Sequence, residues 1–360
     1  MKIIICGLSI TSSWGNGHAT TYRALVRALN ERGHKTVFFE RDLEWYASNR
    51  DMPEPPFCRV HVYEHWEEAR NLLRRELADA DVAIVGSYFP DGVSAASEIL
   101  DSPVPVRAFY DIDTPITVAK LEAGDEEYLR RDQVAGFDLY FSFTGGPLLD
   151  ELESKFGARR AVPLYCSFDA NRYRLSEPDS RFRCDLSYMG TYAPDRQFGL
   201  DQLLCSPAAR LPEKKFIVAG PQYPASIIWP NNVKRVIHLE PKFHPPFYCS
   251  SRFTLNLTRR LMMDKGYSPS VRLFEAAGCG AAIISDRWAG IETFLVPGEE
   301  ILLAQSGEEV IRYLREIGES EARAIGAKAQ ERVLAEHTAE RRAQQFESFV
   351  GAKALAPNYA

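Results

Sequence analysis

The N-terminus sets the strongest constraint on the fold, because an apolar run, a polar loop, an amphipathic segment and a second apolar run follow one another there. Lys2–Cys6 is short, apolar and β-branched, and residues 9–17 are polar and carry Gly15 and Gly17. Residues 20–32 place Tyr22, Leu25, Val26 and Leu29 on one side of a helix, which Gly33 stops before the apolar run 35–39. Strand, loop, helix, strand is the start of a parallel α/β sheet. Further strands are expected at residues 82–85, 104–109 and 139–143, with a helix over 67–78. The first half therefore reads as a Rossmann-like domain.

A chain of 360 residues has room for about two such domains. Residues 167–183 are polar and aperiodic and read as the connection. A second series then begins, with strands expected at 186–189, 215–218, 233–238, 252–257 and 281–285 and helices at 270–277 and 308–317. The charged, alanine-rich stretch 319–349 reads as one or two helices, and residues 351–360 as a frayed tail. The expected division is 1–168, 169–335, and a terminal helix and tail over 336–360 that can pack back on the first domain. Two such domains can face each other across a cleft, since open parallel sheets bind ligands beyond their strand carboxyl ends.

The 43 Lys and Arg against 49 Asp and Glu leave a formal charge of -6, which argues against a nucleic-acid partner but permits a local basic pocket. No run of apolar residues is long enough for a transmembrane segment. The apolar N-terminus soon turns polar without a cleavage pattern, so it is expected to be a strand rather than a targeting segment. Seven cysteines without a CxxC spacing fit reduced thiols in a cytoplasmic protein.

The run 252–291, RFTLNLTRRLMMDKGYSPSVRLFEAAGCGAAIISDRWAGI, is the most informative. Pro269 suits the first turn of a helix, with Ser268 as its cap, or Ser270 if the helix starts later. Free amides and hydroxyls at that point would suit a diphosphate, and Glu275 further along could accept hydrogen bonds from a ribose diol. An ordinary helix with a Ser-Pro start and a glycine stop fits the same spacing. Arg259, Arg260 and Lys265 nearby are either phosphate partners or a solvated face.

In the first half, Gly15 and Gly17 permit close backbone approach beside His18, a candidate general base at a helix start. A capping or structural role would place a histidine there equally well. Asp111 and Asp113 follow an apolar strand two residues apart, so an extended chain would point both to one side. They could bind an acceptor hydroxyl, act as base, orient His18 or hold a metal, or simply cap a turn. Thr144, Gly145 and Gly146 form a third reversal. Trp14, Tyr192 and Trp288 suit packing better than stacking on a ligand. Glu40 ends a strand where a nicotinamide-binding domain would place a ribose carboxylate, but the glycine fingerprint is incomplete. His61 and His65 are four apart without a third ligand, so no metal is assigned.

Several runs carry a resemblance. They are YDIDTPIT at 110–117, DLYFSFTGGPLLDELE at 138–153, PLYCSFD at 163–169, YMGTYAPDRQ at 188–197, FIVAGPQYP at 216–224 and the long run at 244–304. Together they resemble the CgeB-like glycosyltransferase family, within the glycosyltransferase B architecture. That resemblance implies two Rossmann-like domains, an N-terminal acceptor domain and a C-terminal donor domain. It implies sugar transfer from a UDP-, dTDP- or GDP-linked sugar to a hydroxyl on a small molecule or glycan, with no further cofactor. Glu275 would hold the ribose, Ser268 and Ser270 the diphosphate, Gly190 and Thr191 would approach the donor, and Arg259 would neutralise the leaving group. The His18 loop resembles the glycine-and-histidine turn of inverting members. Many retaining members carry a second glutamate eight positions before the ribose glutamate, where this chain has Tyr267. A manganese-binding role for the aspartate pair is disfavoured, because the pair falls in the acceptor half and the donor half has its own helix end. Epimerisation or hydrolysis of a nucleotide-sugar, or a non-catalytic nucleotide-sugar-binding role in envelope or spore-coat assembly, are the alternatives.

Overall fold

The computed structural model describes residues 1–14 and 17–354; Gly15, Asn16 and residues 355–360 of the expected tail lie outside the described residues. The chain divides into two compact units, Met1–Ser167 with Ala339–Ala360, and Phe168–Thr338.

The first unit holds β1 (Lys2–Cys6), β2 (Lys35–Arg41), β3 (Arg59–Tyr63), β4 (Val82–Gly86), β5 (Val106–Asp111), β6 (Leu139–Ser142) and β7 (Ala161–Pro163). They form one parallel sheet in the order β3-β2-β1-β4-β5-β6-β7. In the central strand β1, Ile4 lies opposite Val37 on one side and Ala83 on the other, and residues 3–6 are buried. Helices cover both faces, which is why these strands read as continuous apolar runs rather than alternating ones. The helix Gly17–Glu31 follows β1 and buries Tyr22, Leu25, Val26 and Leu29, the stripe its spacing predicts.

The second unit holds β8 (Cys184–Met189), β9 (Phe216–Ala219), β10 (Val233–Val236), β11 (Ser251–Asn256), β12 (Ala282–Ser285) and β13 (Leu302–Leu303), parallel in the order β10-β9-β8-β11-β12-β13. Both sheets reverse their winding once, between β1 and β4 and between β8 and β11. In a doubly wound sheet the loops at that reversal splay apart and leave a crevice at the strand carboxyl ends.

Residues 168–183 are not a free connector. Phe168 bridges to Thr338, and Phe168 and Tyr173 are buried within the second unit. Residues 351–354 are helical rather than tail, closing the helix Ala339–Ala354. This helix belongs to the first unit. Phe346 is fully buried with its ring 5.5 Å from that of Phe141, and Glu347 accepts from Arg32 Nε at 2.8 Å and pairs with His34 at 2.8 Å. Among the described residues no helix is long and apolar enough to cross a membrane.

Candidate functional site

In the second unit the crevice is bounded by the loops after β8 and β11. Gly190 follows β8 directly. A Cβ there would stand 2.7 Å from the Tyr188 hydroxyl and 2.9 Å from the Arg272 guanidinium. The neighbouring loop holds Gly220 at φ +140°, where a Cβ would meet the Gly190 carbonyl at 2.0 Å. Two glycines thus let two loops and an arginine share one spot. The Tyr223 hydroxyl donates to the Gly190 carbonyl at 3.2 Å, and its ring lies 5.5 Å from that of Tyr192.

Two arginines converge on these loops. Arg272 sits in the first turn of the helix Val271–Gly278, donates Nε to the Met189 carbonyl, and lies over the Tyr188 ring. Arg196 donates to the Thr191 carbonyl at 2.8 Å, while its Nε, like the Tyr188 hydroxyl, is buried without a partner among the described residues. Burial pushes the Arg196 guanidinium below its ordinary value, and Arg272 adds to the effect. Two half-buried cations and an orphaned hydroxyl, with no ion pair to either guanidinium among the described residues, make an environment that an anion would relieve. Neither arginine was among the residues expected from the sequence. Arg196 lies within YMGTYAPDRQ and Arg272 within the long second-half run, but nothing in their spacing marks them as convergent.

Of the two helix starts the sequence left open, the later one is found: Ser270 is the N-cap position, so Pro269 lies outside the helix and its ring removes no helical donor. The Ser270 hydroxyl does not cap the helix. It donates to Asn256 Oδ1 at 2.7 Å, tying the helix to the end of β11. Ser268 is buried beside it. Asp286 fixes the loop after β11, accepting from the Thr258 amide at 2.6 Å and its hydroxyl at 2.8 Å. Arg259 is already paired, with Nε 3.2 Å from Asp195 Oδ2, so its charge is compensated on the surface. Tyr267 has φ +47°, a left-handed conformation that a side chain adopts at a cost. Its amide donates to the Ala289 carbonyl at 2.6 Å, and its ring fills the space a Cβ on Gly290 would need.

Glu275 is buried on the same helix. Burial pushes its carboxyl up, against the Tyr173 hydroxyl, Arg172 and Arg272, which draw it down. The Tyr173 hydroxyl also lies 3.1 Å from His244 Nδ1, and His244 Nε2 lies 3.2 Å from the Leu239 carbonyl. That second contact requires a proton on Nε2, so Nδ1 is an acceptor and competes with Glu275 for the single Tyr173 proton. Trp288 is buried, its indole N–H without a partner among the described residues.

In the first unit Glu40 organises the loop after β1. Fully buried, it accepts from the amides of Ile10 at 2.6 Å and Thr11 at 3.0 Å, and from the hydroxyls of Ser9 and Thr11. A carboxylate committed to four internal donors is a scaffold, not a ribose ligand. The loop reaches exposed Trp14 and resumes at Gly17, with Gly15 and Asn16 outside the described residues.

His18 lies in the first turn that follows, nine-tenths buried, with Nε2 3.8 Å from Asp113 Oδ2 and Nδ1 without a partner among the described residues. Its ring stands edge-on to Tyr88 at 5.4 Å, and Tyr88 holds φ +62° just after β4. The aspartates do not point to one side, as an extended chain would require. Asp111 ends β5, but Asp113 is already the N-cap of the helix Thr114–Ala123 with ψ 53°, so the alternation breaks between them. Asp111 turns inward and accepts from Tyr140 at 2.5 Å and Thr117 at 2.7 Å. Burial pushes its carboxyl up to about 6. Asp113 alone meets His18. Thr144 is buried after β6, and Gly146 at φ +62° turns the chain into the helix Pro147–Phe156.

Residues 196–348 match a protein-family model described as glycosyl transferase-like. No curated protein sequence matches the chain. Among solved structures it is similar to sucrose-phosphate synthase from Thermosynechococcus elongatus, at 14% identity and TM-score 0.69, covering 98% of each chain. It is similar to Anabaena HepE in complex with UDP-glucose, at 13% identity and TM-score 0.70, covering 98% of this chain and 100% of that one. It is also similar to an alpha-glucosyltransferase in complex with UDP-glucose and DNA, at 12% identity and TM-score 0.71, covering 98% and 99%. With the two parallel sheets of seven and six strands, these likenesses place the chain in the glycosyltransferase B architecture of two Rossmann-like domains.

Proposed function

We propose that this protein is a metal-independent glycosyltransferase that moves a sugar from a nucleotide diphospho-sugar to a hydroxyl acceptor. The observation that carries the reading is the pair Arg196 and Arg272, half-buried cations that make no ion pair among the described residues and lie beside the Gly190–Gly220 loops. A diphosphate there would accept from both guanidiniums and from the first amides of the helix Val271–Gly278, whose N-cap side chain makes no capping bond. As the bond from sugar to diphosphate breaks, negative charge grows on the leaving group. Fixed cations and amides stabilise it there without reorganising. Gly190 and Thr191 line the approach, Ser268 and Ser270 shape the helix start, and Glu275 takes the ribose. Arg259 contributes only if it leaves Asp195. Uracil is the first base to test, because UDP is the nucleotide in the named complexes of similar structures.

The first unit is the acceptor domain in this reading. His18 is the candidate base that takes the acceptor proton, and Asp113, 3.8 Å from its Nε2, steadies the imidazolium that forms. Asp111 holds the strand end from which Asp113 emerges. Likeness of the quoted runs supports membership in the CgeB-like family, and seven free cysteines support a cytoplasmic setting.

Calorimetry with UDP-, dTDP- and GDP-glucose tests the donor site. Binding of one of them that weakens in both Arg196→Ala and Arg272→Ala supports it; binding untouched by either change, in folded protein, sinks it. Turnover that requires an added hydroxyl acceptor supports transfer. Nucleotide release at an equal rate without acceptor would instead favour hydrolysis.

A further inference from the structure

Trp14 and Trp45 stand 46% and 53% exposed in the first unit, so Trp14 is not the packing residue its sequence context suggested. Tryptophan is on average a highly buried side chain, and two in the open need a reason. Both lie at the carboxyl end of the first sheet. Trp14 is in the loop after β1, and Trp45 is in the short helix Glu44–Ala47 after β2, the strand that pairs with β1. Hydrogen bonds join the two segments. The Trp14 amide donates to Ser12 Oγ at 3.4 Å, Ser12 Oγ donates to the Asn49 carbonyl at 2.8 Å, and Asn49 Nδ2 donates to the Trp45 carbonyl at 2.9 Å. Buried Arg23, on the same helix as His18, holds both segments from below. Its Nε donates to the Ile10 carbonyl at 2.7 Å, and its two Nη groups donate to the Asp51 carboxylate at 2.9 and 2.8 Å. Asp51 in turn accepts from the Ser13 amide at 2.9 Å and the Ser13 hydroxyl at 2.8 Å. A two-pronged ion pair of this kind fixes geometry as well as charge. The two indoles are therefore carried on backbone that is pinned to the helix of the candidate base.

We propose that Trp14 and Trp45 form a stacking platform for a neutral saccharide, which makes the acceptor a sugar-bearing molecule. The proposal rests on the reading of the first unit as the acceptor domain. The charges beside the platform are compensated: Arg23 pairs with Asp51 at 2.8 Å and Arg50 with Asp42 at 2.7 Å. Glu44, next to Trp45, is exposed and acidic, so an anionic ligand meets repulsion there rather than a cation. Ser48 and Asn49, both exposed, add a hydroxyl and an amide beside the indoles. A pyranose matches that surface. Its C–H face lies on an indole, and its hydroxyl rim meets neutral polar groups. Because the backbone under both indoles is already fixed, little ordering cost falls on binding. The same fixation sets a sugar held here at a constant distance from the helix that carries His18.

The test passes the full chain over a printed array of neutral and anionic glycans and measures affinity for a captured glycan by calorimetry. Capture of a neutral saccharide is expected. Trp14→Ala and Trp45→Ala should each weaken it at least about 10-fold, with melting temperatures showing that both variants fold. Trp45→Phe, which keeps an aromatic face, should recover part of the loss. Ile228→Ala removes a side chain 93% exposed in the second unit and should leave capture unchanged, as the control for general stickiness. Binding of UDP-, dTDP- and GDP-glucose to the same variants reports on the donor site separately, so failure of the transferase reading and failure of the platform give different results. No captured glycan, preference for anionic glycans, affinity that both alanine variants leave intact, or an equal loss in Ile228→Ala overturns the proposal. So does attachment to phosphatidylglycerol vesicles that both tryptophan variants abolish, which would make these side chains a bilayer contact.

Discussion

The Arg272 guanidinium lies over the Tyr188 ring, 5.1 Å from its centroid, while its Nε donates to the Met189 carbonyl. The arginine therefore cannot swing out to solvent, and its charge is spent where β8 ends. A hydrogen bond to a charged group contributes about 1.5–3 kcal/mol. Arg272→Ala should weaken nucleotide-sugar binding by about 10- to 100-fold, measured by titration calorimetry. Unchanged affinity in a folded variant would exclude Arg272 as a diphosphate ligand.

His18 and Asp113 form a pair that Asp111 does not join. His18→Ala should lower turnover by about 10²- to 10⁴-fold, the usual size of a general-base contribution, with donor affinity preserved. Asp113→Asn should also reduce turnover, through the lost carboxylate beside Nε2. Steady-state rates beside binding constants check both. If His18→Ala turns over at the wild-type rate, the base lies elsewhere.

Asp111 carries a pH signature of stability. Burial holds its folded-state carboxyl at about 6, above the ordinary 3.8. The folded protein therefore binds this proton more tightly than the unfolded chain does. The stability it contributes is full below the unfolded value and is lost as pH rises through about 6. The displacement corresponds to about 3 kcal/mol. Thermal melts of Asp111→Asn and wild type between about pH 4 and about pH 7 should show the variant gaining relative to wild type as pH rises. A constant difference across that window would contradict the assignment.

Gly326 lets the helix Glu319–Glu336 lie against the turn that ends the Glu275 helix. A Cβ there would stand 2.1 Å from the Gly280 carbonyl oxygen, and backbone cannot move aside as a side chain can. Gly326→Ala should cost about 1–3 kcal/mol in urea unfolding. Gly318→Ala, where nothing lies within 4 Å, is the control and should be far milder.

Phe346 reports on the returning C-terminal helix. Its ring is fully buried within the first unit. Phe346→Ala should destabilise by about 3–5 kcal/mol, read from the same unfolding curves. A loss below about 1 kcal/mol would mean that this helix is dispensable to the first unit's core.

Most strands were legible from the chain: β1, β2, β4, β5, β6, β8, β9, β10, β11 and β12 all fall within a few residues of their expected positions. β3, β7 and β13 were not anticipated. β7 and β13 have three residues or fewer, and edge strands lack the apolar density that marks a buried one. Helix ends shifted for local reasons. Asn256 claims the Ser270 hydroxyl that the Ser-Pro start offered as a cap.

Which face a side chain takes was a different matter. Asp111 and Asp113 share a motif, yet a helix begins between them, so one is sealed under Tyr140 and Thr117 and the other meets His18. Periodicity fixes direction only while one backbone conformation persists. Glu40, already disfavoured as a ribose ligand by the incomplete glycine fingerprint, is instead occupied by four donors from the loop after β1.

The sequence by itself determined the alternation of strands and helices, because apolar periodicity is a local property that each segment carries alone. It also marked the His18 loop and the Glu275 helix, since glycines, prolines and cap residues act on their immediate neighbours. Only the tertiary structure decided that Arg196 and Arg272 end beside one pair of glycines and that Arg259 is compensated by Asp195. Those relations join residues far apart in the chain. They depend on how the sheet reverses and on which charges burial leaves unpaired, and neither is written in any single segment.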